Sequence, residues 1–102
     1  MILTKREFEL MNLLWIFGPL SVAQAIEYCA QVPPPHFNTI ATFYRILEKK
    51  GFVSHTGHKR LFYHPVVSKE NYIHEYMNSI CVQLFNGDKN RMLEIIQQYV
   101  NP

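Results

Sequence analysis

Between His36 and Tyr63 the sequence changes period, and that change restricts the fold more than any total does. Ile40, Phe43, Tyr44 and Leu47 recur at i, i+3, i+4 and i+7, the spacing of one helix face. The helix they predict starts near Asn38 and stops at Lys50-Gly51, where glycine can take the left-handed backbone that closes a helix. The period then drops to two. Apolar and polar residues alternate in Phe52-Val53-Ser54-His55 and again in Leu61-Phe62-Tyr63-His64, with Thr56 to Arg60 as the turn between them and Pro65 ending the second run. A helix followed at once by a single short β-hairpin predicts a mainly α fold with one small β element.

Two short helices precede this unit. Thr4-Lys5-Arg6-Glu7 reads as a capping box, in which a hydroxyl and a carboxylate satisfy each other's backbone N–H groups at a helix start. The helix runs to about Phe17, with Phe8, Met11, Leu14 and Trp15 on its core face, and Gly18-Pro19 stops it. Ser21-Val22-Ala23-Gln24 is a second box, opening a short helix through Ala25, Ile26 and Cys29. Pro33-Pro34-Pro35 cannot be helical and reads as a stiff linker; three prolines are too few for a proline-rich recognition motif.

Charge is informative only by position. The net charge of the 102 residues is +2, yet Arg45, Lys49, Lys50, Lys59 and Arg60 stand between His36 and Tyr63 against Glu48 alone. Steps of about 100° from Ile40 place Asn38, Ala41, Thr42, Arg45 and Lys49 on the opposite face of that helix. Asn and Arg side chains can pair bidentately with adenine and guanine edges, and Ala or Thr can meet a thymine methyl group. Lys49 and Lys50, at the far end, suit phosphate oxygens. His58, Lys59 and Arg60 at the hairpin tip would add charge along the backbone or in the minor groove. Two helices, a groove-reading helix and a basic hairpin in this order make a winged helix-turn-helix, assigned to residues 1–66.

The same residues carry a family likeness. Leu3-Thr4, Glu7, Glu9, Met11, Leu14-Trp15, Gly18-Pro19-Leu20 and Val22 begin it. Thr39-Ile40-Ala41-Thr42, Leu47, Lys49-Lys50-Gly51-Phe52-Val53 and Tyr63-His64-Pro65 continue it, and Ser68-Lys69-Glu70 and Leu84-Phe85-Asn86-Gly87 extend it. Together they resemble the penicillinase-repressor family of bacterial transcriptional regulators. The resemblance implies a winged-helix domain and a helical dimerisation tail. The dimer would grip a palindromic DNA operator, often of a β-lactam-resistance operon, until a membrane sensor metalloprotease cuts the tail. It carries Thr39, Thr42 and the basic residues of the same helix over as operator contacts, by position. Three positions depart from the family pattern. Many relatives have arginine where this chain has Ile46; the Asn-Phe cleavage pair of some falls on Ile95-Ile96; and the family's last helix lies beyond Pro102, so the chain is either naturally short or truncated.

Residues 67–102 form the expected tail. Ser68 and Asp88 are positioned to cap helices over Lys69–Asn86 and from Asp88 to about Val100, with Gly87 between them. Ile73, Met77, Ile80 and Leu84 step by four, three and four, a short heptad seam, with Tyr76 and Phe85 beside it and Met92 and Ile96 on the second helix. Such a stripe is ordinarily core, but the winged unit has apolar stripes of its own, which favours a homodimer.

Little else in the sequence suggests chemistry. His74-Glu75 starts like a zinc-protease motif, but Asn78 stands where its second histidine belongs. No nucleophile triad, catalytic carboxylate pair, phosphate loop or metal set can be assembled, so neither an enzyme nor a cofactor is expected. Cys29 and Cys81 read as buried free thiols, and without a leader or long apolar run a reducing cytoplasm is the default. Two competing classes are a winged-helix module that meets an acidic protein, and a metal- or redox-responsive regulator using His55, His58 and Cys29.

Overall fold

Three helices begin where a side chain replaces a missing backbone partner. In the computed structural model, which describes residues 2–102, the order is α1 (Lys5–Phe17), α2 (Val22–Tyr28), α3 (Phe37–Lys49), β1 (Val53–Thr56), β2 (Phe62–Pro65), α4 (Lys69–Phe85) and α5 (Lys89–Val100). Thr4 and Ser21 close full capping boxes with Glu7 and Gln24, and Asp88 accepts from the Arg91 N–H. The mainly helical fold with a small β wing is as the sequence predicts.

The strands pair antiparallel, Val53 opposite Pro65 and Thr56 opposite Phe62. Leu20 adds a bridge, exchanging backbone hydrogen bonds of 3.0 and 2.8 Å with Tyr63. Each strand sits one residue later than its alternation suggests, and Phe52, just before β1, continues the register by giving its carbonyl to the Val66 N–H at 2.8 Å. Gly57 opens the wing tip at φ 99°, and a Cβ there would run into the Arg60 carbonyl.

The molecule divides into two units, Leu3–Lys69 and a second that contains Glu70–Pro102 and Ile2. In the first, Leu10, Met11 and Leu14 of α1 are sealed together with Ile40, Tyr44 and Leu47 of α3. Tyr44 spans this core: its hydroxyl donates to the Leu10 carbonyl at 3.1 Å, and its ring stacks on Tyr63 with centroids 4.9 Å apart. The core face of α1 is rotated from the expected one. Phe8 is exposed and meets Trp15 edge-on at 6.0 Å, while Trp15 donates to the Val67 carbonyl at 2.9 Å. Glu7 takes the vacated place on the buried stripe. A carboxylate is tolerated there because Lys50 reaches it, Nζ to Oε2 at 2.6 Å.

In the second unit α4 and α5 are joined at Asn86 and Gly87, both left-handed, with φ of 52° and 82°. Tyr72, Cys81 and Met92 are buried, and Tyr72 meets Tyr76 edge-on at 6.0 Å. Helical spacing puts Met92 on a partner-facing stripe; at 9% exposed it is instead covered by its own chain. An apolar stripe has the same spacing whichever chain covers it. Cys29 is half-buried rather than buried, because α2 ends at Tyr28 and leaves it at the cap.

Candidate nucleic-acid interface

The outer face of α3 is organised by hydrogen bonds within the helix. Thr42 donates its hydroxyl to the Asn38 carbonyl at 2.8 Å and accepts from the Arg45 guanidinium at 3.1 Å. Asn38, Thr39, Thr42, Arg45 and Lys49 are all exposed. The guanidinium is thus directed along the helix rather than left to rotate, which lowers the ordering cost of presenting it. Glu48, the single acid of this segment, accepts from His55 Nδ1 with both oxygens at 2.8 Å. That pair ties β1 to α3.

Two expected DNA contacts, Ala41 by spacing and Lys50 by its place at the helix end, lie elsewhere. Ala41 is 7% exposed. It lies on the flank of α3 that faces α2 and the wing root, where its small side chain permits close approach. There it floors a cleft of about 280 Å³ that Val22, Leu61, Arg45 and Lys59 also line. Lys50 is turned inward to Glu7. Burial would push the Glu7 carboxyl up, but the Lys50 ammonium and the Thr4 N–H and hydroxyl outweigh it and hold the group below its ordinary 4.5. Lys50 is therefore a strut between α3 and the start of α1.

The wing carries His58, Lys59 and Arg60 exposed. Arg60 is partly committed: it donates to Ser21 Oγ at 3.1 Å and lies over the Phe62 ring, 5.4 Å from its centroid. Lys49 and Lys59 make no ion pair among the described residues. Spacing also missed Ile46, which is 40% exposed and, with Asn38, Thr39, Thr42 and Phe43, lines a shallow depression of about 360 Å³ on the outer side of α3. The signal is present in the sequence, since Thr39, Thr42, Phe43 and Ile46 repeat the i, i+3, i+4, i+7 spacing of the buried stripe.

The remaining chemistry-bearing groups stay apart. Among the described residues no three His, Cys, Asp or Glu side chains gather as a metal site. Burial, with Glu9 nearby, raises the Cys29 thiol against the opposing pull of Arg6, so it stays protonated and a poor ligand. No described helix is long and apolar enough to cross a membrane.

Comparison with known proteins agrees with this geometry. The chain resembles the crystal structure of transcriptional regulator PA4135, with a TM-score of 0.50 and 14% identity over 95% of this chain and 76% of that one, a likeness of fold. No curated protein sequence matches it. The penicillinase repressor family matches residues 3–99, and the chain belongs to that family of DNA-binding, non-enzymatic regulators.

Proposed function

We propose that this chain is a dimeric, sequence-specific repressor that lays α3 in the major groove and rests the wing on the phosphate backbone. One observation carries the reading: the exposed Asn38–Thr42–Arg45 hydrogen-bonded array on α3, with Lys49 beyond it and the wing cations beside it. Asn38, Thr39, Thr42 and Arg45 would face base edges, while Lys49, His58, Lys59 and Arg60 would meet phosphates. Residues 1–66 serve as the reading domain; the compact unit Leu3–Lys69 supports that division.

Residues 67–102 would form the dimer. Ile73, Tyr76, Met77 and Leu84 are exposed, Leu84 at 72%, and Ile80, Phe85 and Ile96 are half-buried. A second copy would cover these side chains, and two readers related by symmetry would take half-sites one DNA turn, or a multiple of it, apart. A β-lactam-resistance operon is the target this family suggests, with a membrane sensor metalloprotease cutting the tail to relieve repression. Ile95 and Ile96 lie inside α5, so cutting there requires that helix to open first.

The test is DNA binding of two variants. Arg45→Ala should cost about 1–3 kcal/mol on the preferred duplex and relax one base position. Lys59→Ala should weaken all duplexes alike and reduce the salt slope by about one. Unchanged affinity in both variants refutes the assignment.

A further inference from the structure

We infer that the Ile46 depression is a reader of thymine 5-methyl groups, so that α3 reads DNA with two parallel stripes, one polar and one apolar. The inference rests on the major-groove reading and names what part of that face detects. Ile46 is the apolar exposed end of the stripe Thr39–Thr42–Phe43–Ile46, which with Asn38 lines the depression. No charged side chain lines it. Seven residues of helix rise about 10 Å, the length of roughly three base steps.

The hydrogen bonds already made narrow what the Thr42–Phe43–Ile46 end of this stripe can recognise. Thr42 has one hydroxyl proton, and the Asn38 carbonyl holds it at 2.8 Å. Thr42 therefore cannot donate to a base acceptor, and one of its lone pairs is occupied by Arg45 at 3.1 Å. Phe43 and Ile46 have no polar atoms beyond the backbone. In the major groove the apolar feature that distinguishes one natural base is the thymine C5-methyl group. Arg45 and Lys49 flank the stripe with positive charge, so approach to a polyanion brings it to the groove floor rather than to an apolar protein surface.

The experiment uses the full chain. A duplex is selected from a random-sequence pool and remade with each thymine replaced in turn by uracil, which deletes the methyl group and keeps every hydrogen-bonding group. One or more replacements should weaken binding about fourfold each, the factor corresponding to one buried methylene. Ile46→Ala, at an exposed position, should bind the thymine and uracil duplexes with equal affinity, while Ile46→Val should retain the difference. If a specific duplex is recovered and no uracil replacement changes affinity, the inference is overturned while DNA reading stands. If Ile46→Ala keeps the full thymine preference, Ile46 is not the reader and the inference is equally overturned. If the pool yields no preferred duplex, the major-groove reading fails and the inference falls with it.

Discussion

Replacing Lys50 by methionine separates a structural role from a DNA-binding one at a single position. Methionine keeps most of the aliphatic stem and removes the ammonium. The ion pair it breaks is 2.6 Å long, between a lysine side chain 31% exposed and a carboxylate 3% exposed. Breaking a fully buried pair costs about 3–5 kcal/mol, and a hydrogen bond to a charged group contributes about 1.5–3 kcal/mol. Glu7 keeps the Thr4 N–H at 2.9 Å, and a lysine one-third exposed leaves room for water, so the lower end applies: about 2 kcal/mol.

In a domain of this size a loss of about 2 kcal/mol lowers the melting temperature by roughly 10 °C. Urea unfolding followed by circular dichroism measures it, at one fixed protein concentration because subunit association contributes to apparent stability. Glu7→Gln should also destabilise, and the double variant should fall short of the sum of the two by about 1–2 kcal/mol, the coupling expected of a direct pair. The salt slope of DNA binding should not change in Lys50→Met. If instead the urea midpoint is unmoved and the slope drops by about one phosphate, Lys50 is a backbone contact and the strut is refuted.

The Glu7 carboxyl is held below 4.5 in the folded chain, so its contribution is complete above that pH and lost as pH falls through the lower folded value; acid unfolding of Glu7→Gln should show a weaker dependence there. Gly57→Ala must distort the wing, since φ is 99° and its Cβ would meet the Arg60 carbonyl; binding should weaken on all duplexes with a stability loss of about 1 kcal/mol or more, read by fluorescence anisotropy and urea melts. Leu84→Glu should shift the chain from dimer to monomer in sedimentation while leaving its helical circular dichroism intact, given the 72% exposure of Leu84.

What the sequence made legible was set by range. Thr4 with Glu7 and Ser21 with Gln24 bond across three residues, so their pattern alone announces both helix starts. The turn at Gly57 and the helix stop at Gly51 are equally local. Lys50 shows the limit: its partner is 43 residues away, and nothing near Lys50 reveals that it turns inward while Lys49 does not. Glu7 was legible as half of a capping box and illegible as a buried ion. Ala41 failed for a related reason, since 100° from the centre of the buried stripe its exposure depends on where α2 packs. The exposed stripe ending at Ile46 has the periodicity that normally signals core, and only the placement of α1 and the wing shows which stripe is covered.

The inward turn of Lys50 also changes how a reader of this kind can discriminate. Of five cations between His36 and Tyr63, Lys50 is held by Glu7, Arg60 is partly held by Ser21 and Phe62, and Arg45 is braced on Thr42. In the proposed reading Lys49 and Lys59, which make no ion pair among the described residues, would be left for phosphates. Phosphate contacts supply affinity that is blind to sequence and lost with salt. A small set of them keeps binding to random DNA weak, so a preferred site must be favoured mainly by contacts at base edges. Arg45 can supply one strong pairing, because its guanidinium is already aimed. Asn38 can supply another at an adenine. The other exposed side chains in the reading stripes include Thr39, Thr42 and Ile46; the Thr42 hydroxyl has its proton in use, and Ile46 presents only methyl groups. In the proposed reading, discrimination at the Ile46 stripe would depend on whether a base edge offers a methyl group or not, a distinction that salt does not screen. Raising salt should therefore weaken binding to random DNA while leaving the ratio between thymine and uracil duplexes unchanged.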